Sequence, residues 1–113
     1  MKKILIIGNG GREHSLGWKL GQSDEISEVL YAPGNAGTSE GKGRNIFVDG
    51  TKSTNFGKLT DIVFSENIDM VIVGPEVALA EGLVDYFNYK GYNRIFGPTK
   101  KATLLESDKF FSF

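Results

Sequence analysis

Apolar residues in this chain fall into short runs, each cut off by glycine or proline, and the runs alternate between two periodicities. Lys3 to Ile7 is continuous and aliphatic and stops at Gly8, the pattern of a strand buried on both faces of a parallel sheet. From Gly11 to about Gln22, Leu16 and Leu20 recur at i, i+4 among Arg12, Glu13, His14 and Lys19, which predicts a helix with one apolar face. Glu28 to Tyr31 predicts a second strand. It runs into Ala32-Pro33-Gly34-Asn35-Ala36-Gly37-Thr38, a composition suited to a shaped loop. Ile46 to Val48 predicts a third strand. Ser53 to Asn67 carries Phe56, Leu59, Ile62 and Val63 at helical spacing, with Ser53 or Thr54 expected as N-cap. Asp69 to Val73 predicts the fourth strand, broken by Gly74-Pro75-Glu76. Leu79, Leu83, Val84 and Phe87 then mark a helix that Gly91 ends through its tolerance of left-handed geometry. Arg94 to Phe96 predicts the fifth strand, and Gly97-Pro98-Thr99 opens a last helical stretch to about Glu106.

Strands alternating with helices at this spacing predict right-handed βαβ units: an α/β, Rossmann-like three-layer domain with a parallel sheet of about five strands. Ligands of such sheets bind beyond the carboxyl ends of the strands, where strand order reverses. The glycine-rich breaks after strands one, two and four all fall on that edge.

Composition narrows the picture. The chain has 113 residues, which predicts one domain spanning 1–113. Forty per cent hydrophobic residues suffice for one ordinary core. Thirteen basic against 14 acidic residues leave no cationic excess, which disfavours sequence-independent nucleic-acid binding. Zero cysteines exclude disulfides and thiolate chemistry and agree with a cytoplasmic location, and a single histidine excludes a histidine-rich metal site. No apolar run approaches the ~20 residues that span a bilayer, so no membrane contact is expected.

The segment Gly8-Asn9-Gly10-Gly11-Arg12-Glu13-His14 follows a strand and opens a helix, where free N–H groups and the positive helix end attract a phosphate. As a dinucleotide fingerprint it is incomplete. Glu13 replaces the third glycine, and strand two ends in Tyr31-Ala32-Pro33 without an acid to hold a ribose. A non-dinucleotide phosphate site, a nucleotide-binding oxidoreductase domain and a plain packing turn are the readings left open. No P-loop pattern occurs in the chain. Arg12 could add a charge-assisted bond to a held phosphate, whereas Glu13 reads as a solvated helix start. His14 admits a ligand contact or simple packing. Asn35, between Gly34 and Gly37, can adopt left-handed geometry and offer an amide donor and acceptor. Glu76, just past strand four, faces the same edge and suits a sugar hydroxyl or an amine. Glu66 and Asp69 lie on the opposite edge and receive no chemistry. Phe56, Phe64, Phe87 and Phe96 read as core.

Taken together, Gly8 to His14, Ala32 to Thr38, Val73-Gly74-Pro75-Glu76, Phe96-Gly97-Pro98 and Leu105-Glu106-Ser107 with Lys109 resemble the amino-terminal domain of the glycinamide ribonucleotide synthetase family, ATP-grasp ligases of purine synthesis. The resemblance runs from Met1 to the end in the same order. It implies a parent reaction in which phosphoribosylamine, glycine and ATP give glycinamide ribonucleotide, ADP and phosphate. ATP and magnesium or manganese would be bound mainly by further domains of the same polypeptide. On this resemblance the present domain holds phosphoribosylamine. Gly8, Asn9, Gly10, Gly11 and Arg12 cradle its phosphate, and Asn35 and Glu76 orient ribose or amine, with Gly37, Thr38, Gly74 and Pro75 beside them. Lys109 is implied as a contact to nucleotide phosphate. With no lid or metal-binding carboxylates expected in this stretch, the chain alone is expected to be inactive. A noncatalytic docking module, using Phe110, Phe111 and Phe113, is a further alternative.

Overall fold

The computed structural model describes residues 2–74, 78 and 81–97. They form a five-stranded parallel sheet in the order β3-β2-β1-β4-β5, with helices on both faces. The elements are β1 (Lys2–Gly8), α1 (Gly11–Gly21), β2 (Ile26–Pro33), β3 (Gly43–Asn45), α2 (Phe56–Ser65), β4 (Met70–Val73), α3 (Leu83–Tyr89) and β5 (Ile95–Phe96). The α/β, three-layer expectation is therefore met.

β1 is central. It pairs with β2 through Ile4↔Val29 and Ile6↔Tyr31, and with β4 through Ile4↔Met70 and Ile7↔Val73. Ile4, Leu5, Ile6 and Ile7 are fully buried because both faces are covered. Their alternation divides the core in two. Ile4 and Ile6 pack with Leu16 and Leu20 of α1 and with Tyr31 and Ile72. Leu5 and Ile7 pack with Phe56, Leu59 and Val63 of α2 and with Leu83 and Phe87 of α3. Each helix thus seals one face of the same strand, as the i, i+4 spacing of its apolar residues requires.

Four expectations need correction. The third strand is Gly43–Asn45, paired with Val29 to Tyr31, rather than Ile46 to Val48. Ile46 and Val48 instead pack, partly buried, against the α2-side core, so their hydrophobicity marks core packing beside the ladder. Neither Ser53 nor Thr54 caps α2. Both lie in a 3-10 turn, Ser53–Asn55, that feeds the helix, and the N-cap is Asn55. Phe64 is 52% exposed. It sits at the rim of the helix face that buries Phe56, Leu59 and Val63 and meets Tyr92 edge-on at 6.0 Å. β2 runs from Ile26 to Pro33, longer at both ends than Glu28 to Tyr31, because β1 supplies partners along its whole length. Gly91 does adopt φ +91°, just past Lys90, the C-cap of α3.

At the amino-terminal edge, Lys3 Nζ lies 3.4 Å from Glu66, and Arg44 contacts Glu28 and Glu66 at 2.9 Å each. The Lys3 N–H donates to Asp69 Oδ2 at 2.8 Å. Glu66 and Asp69 therefore fasten strands there. Among the described residues, no helix is long and apolar enough to cross a membrane.

Candidate functional site

Strand order reverses between β1 and β4, because the chain builds β2 and β3 on one flank of β1 before placing β4 on the other. The carboxyl ends of these two strands form the seam where ligands of such sheets bind. Gly8 ends β1 with φ +141°, a backbone state that L side chains rarely adopt. The chain then turns through Asn9 and Gly10 into α1.

Gly10 is the N-cap and contributes no side chain to capping, and its carbonyl accepts the first helical bond from the His14 N–H at 3.1 Å. The N–H groups of the first turn have no helical acceptor, and the space over the Cα of Gly11 is open to 4 Å. Arg12 is exposed and has no carboxylate partner among the described residues. A cation at the positive end of a helix is unfavourable by itself, and an anion bound at the amides removes the conflict.

Glu13 corrects the expectation of a solvated helix start. It is 8% exposed. Its side chain folds back from α1 over the seam. A methyl group at Gly8 would lie 2.3 Å from Glu13 Oε1, and one at Gly74 would lie 2.6 Å from Glu13 Cδ. Gly74 follows β4, so the Glu13 side chain lies across both central strand ends. The absence of Cβ atoms at Gly8 and Gly74 is the sequence signal that makes room for it. Among the described residues nothing donates a hydrogen bond to this carboxylate.

The loop after β2 acts as a brace. Asn35 has φ −145°, extended rather than the expected left-handed geometry. Extended geometry lets its Oδ1 accept from the N–H groups of Gly37 at 2.8 Å and Thr38 at 3.2 Å. Its Nδ2 donates to the carbonyl of Asn9 at 2.8 Å. Thr38 is buried, and its hydroxyl accepts from the Asn35 N–H at 2.7 Å and donates to Asn45 Oδ1. Gly37 lies close against the His14 ring, where a methyl group would come 2.7 Å from Cε1. The structure therefore brings Gly8, Asn9, Gly10, Gly11, Asn35, Gly37, Thr38 and Gly74 to one edge. Within that set, the amide groups of Asn35 and the hydroxyl of Thr38 are engaged in holding the loop. Pro75, Glu76 and Lys109, the last helical stretch and the terminal phenylalanines lie outside the described residues, as does Leu79.

Fold and seam together define a Rossmann-like three-layer α/β domain whose first helix opens onto the point of strand reversal. The sequence matches the family described as "Phosphoribosylglycinamide synthetase, N domain" over residues 2–106, and the chain belongs to that family. It is 50% identical over 111 residues to a phosphoribosylamine–glycine ligase of Xanthomonas campestris, covering 97% of this chain and 25% of the relative. The Escherichia coli phosphoribosylamine–glycine ligase is 47% identical over 111 residues, with 97% of this chain and 25% of that protein covered. A trifunctional purine biosynthetic protein adenosine-3 of Gallus gallus is 47% identical over 111 residues, covering 97% of this chain and 11% of its own length. The chain spans about a quarter of the length of these ligase relatives.

Proposed function

We propose that this chain is the amino-terminal, substrate-binding part of a phosphoribosylamine–glycine ligase acting in cytoplasmic purine synthesis. The names of the relatives and the family match support that reading. In the proposed reaction glycine is activated as an acyl phosphate by ATP and the amine of phosphoribosylamine attacks it. The domain's contribution is orientation: it holds the phosphosugar so that its amine meets the activated glycine.

One observation carries the assignment of the phosphate to the α1 mouth. The first turn presents free N–H groups beside open space at Gly11, with the exposed Arg12, which has no carboxylate partner among the described residues, next to it. A monophosphate ester fits these donors, and the bond from Arg12 would be charge-assisted. An adenosine ribose finds no acid at the end of β2, where Pro33 stands opposite Gly8. Magnesium and the ATP it would accompany find no group of three or more His, Cys, Asp or Glu placed for a cation among the described residues. Their binding is assigned to further domains of the parent polypeptide.

Calorimetric titration of the full-length ligase carrying this domain with ribose 5-phosphate tests the reading. Saturable heat is expected, with at least tenfold weaker binding in Gly10→Val. Gly10 has φ −93°, which valine also adopts, so the variant places bulk at the helix mouth without a backbone penalty. Equal binding by the variant, or no binding by the parent, would remove the phosphate assignment.

A further inference from the structure

We propose that the carboxylate of Glu13 receives the amino group of the phosphosugar whose phosphate the α1 mouth holds. This inference rests on the phosphate reading above and adds the group that recognises the other end of the ligand.

Glu13 is buried and lies at the seam between β1 and β4, the position that ligands of this fold occupy. Its side chain reaches both strand ends, close to Gly8 on one side and Gly74 on the other. It has no hydrogen-bond donor among the described residues, so none of them meets its demand for one. Among the described residues neither helix capping nor an ion pair accounts for it, since Gly10 and Arg12 make no bond to it.

The chemistry of the missing partner follows from the neighbours. An ionised carboxylate only accepts, so the group that meets it must donate. Gly8, Gly10 and Gly74 bring no side-chain donor, and a ligand seated at the seam supplies one. A second anion at that point is excluded by like charge, so the phosphate belongs outward at Gly11 and Arg12. A ligand with a phosphate at one end and N–H donors at the other satisfies both ends together. The carboxylate then fixes the amine by charge-assisted hydrogen bonds and sets its direction before attack.

Glu13→Gln in the full-length ligase separates this role from scaffolding. The comparison ligand is 1,4-anhydroribitol 5-phosphate, which keeps ring and phosphate and carries only hydrogen at the carbon that would bear the amine. The expected result is a fall of at least tenfold in kcat/KM for phosphoribosylamine, with affinity for the anhydro compound within threefold of the parent. A smaller fall, or an equal fall for both compounds, overturns the proposal. Failure of the parent to bind the anhydro compound would sink the phosphate reading instead. KM values for glycine and ATP, unmoved in the variant, then become the reference for the same tenfold criterion. Glu13→Asp, which keeps the charge one methylene short of the seam, is the second variant should the first fail to fold. It is expected to show the same selective loss, and parent-like kinetics there would count against the assignment.

Discussion

Asn35 Nδ2 donates to the carbonyl oxygen of Asn9 at 2.8 Å, so the loop after β2 holds the glycine turn after β1 in place. The same side chain accepts from Gly37 and Thr38 through Oδ1. Asn35→Ala is expected to cost about 1–2 kcal/mol in urea denaturation, the range for a lost cap. Asn35→Asp keeps the acceptor bonds but not the donor to Asn9. It should recover most of the stability while still weakening ribose 5-phosphate binding. If both variants lose stability equally, the bond to Asn9 matters more than the cap.

Gly74 and Glu13 compete for the same space, because a methyl group at Gly74 would lie 2.6 Å from Glu13 Cδ. Gly74→Ala should therefore destabilise through overpacking by about 1–3 kcal/mol. In a Glu13→Ala background the clash is gone, and the cost should shrink. A double-mutant cycle from thermal or chemical unfolding measures the coupling, and additivity would show that Glu13 does not occupy the seam.

Tyr31 lies under α1 where Gly17 passes, and a methyl group at Gly17 would come within 2.9 Å of Tyr31 Cε1. The phenol is buried, and its hydroxyl has no partner among the described residues. Tyr31→Phe is expected to be neutral or to stabilise slightly, by up to about 1 kcal/mol. Gly17→Ala should destabilise by about 2 kcal/mol or more, with only partial relief from Tyr31→Phe because the ring itself remains in the way. Denaturation midpoints at constant slope provide the check.

Stability should fall on both sides of neutrality, for separate reasons. The hydrogen bond from Arg44 holds the Glu28 carboxyl below its usual range, with Lys3 adding to the effect, and Thr51 does the same for Asp49. Depressed carboxylates contribute stability above the unfolded value and lose it as pH falls through the folded one. Glu28→Gln should flatten the decline below the ordinary carboxylate range, more so at low salt, because these groups are near solvent. In alkali the direction reverses. Burial pushes the phenols of Tyr31 and Tyr92 upward, most strongly at Tyr92. Their contribution is complete below the ordinary tyrosine value and is lost as pH rises through the folded ones. Tyr92→Phe should blunt the alkaline loss, and an unchanged profile would assign it elsewhere.

The elements whose apolar residues face a core on both sides were legible. Lys3 to Ile7 reads as a buried strand because the run from Ile4 to Ile7 is wholly apolar, and Leu16 with Leu20 reads as a helix face. Gly43–Asn45 was not, since an edge strand facing solvent carries no apolar signal, while nearby Ile46 and Val48 do. At the site, the glycines placed the turn and the edge correctly. Glu13 escaped because a carboxylate in a first helical turn ordinarily faces water, and its burial depends on Gly74, distant in sequence but adjacent across the seam. Asn35 was located but its geometry was not, because the extended form is selected by bonds to Asn9, Gly37 and Thr38 that no local pattern announces.

β1 has neighbours of very different sequence distance: Ile4 meets Val29 on one flank and Met70 on the other. During synthesis the first flank can zip up while the second is still inside the ribosome, since near pairings close faster than far ones. The gap that Glu13 spans is completed only on the arrival of β4. The domain therefore closes this gap as the late event of assembly, and a nascent chain halted before Met70 should still lack one of its two walls.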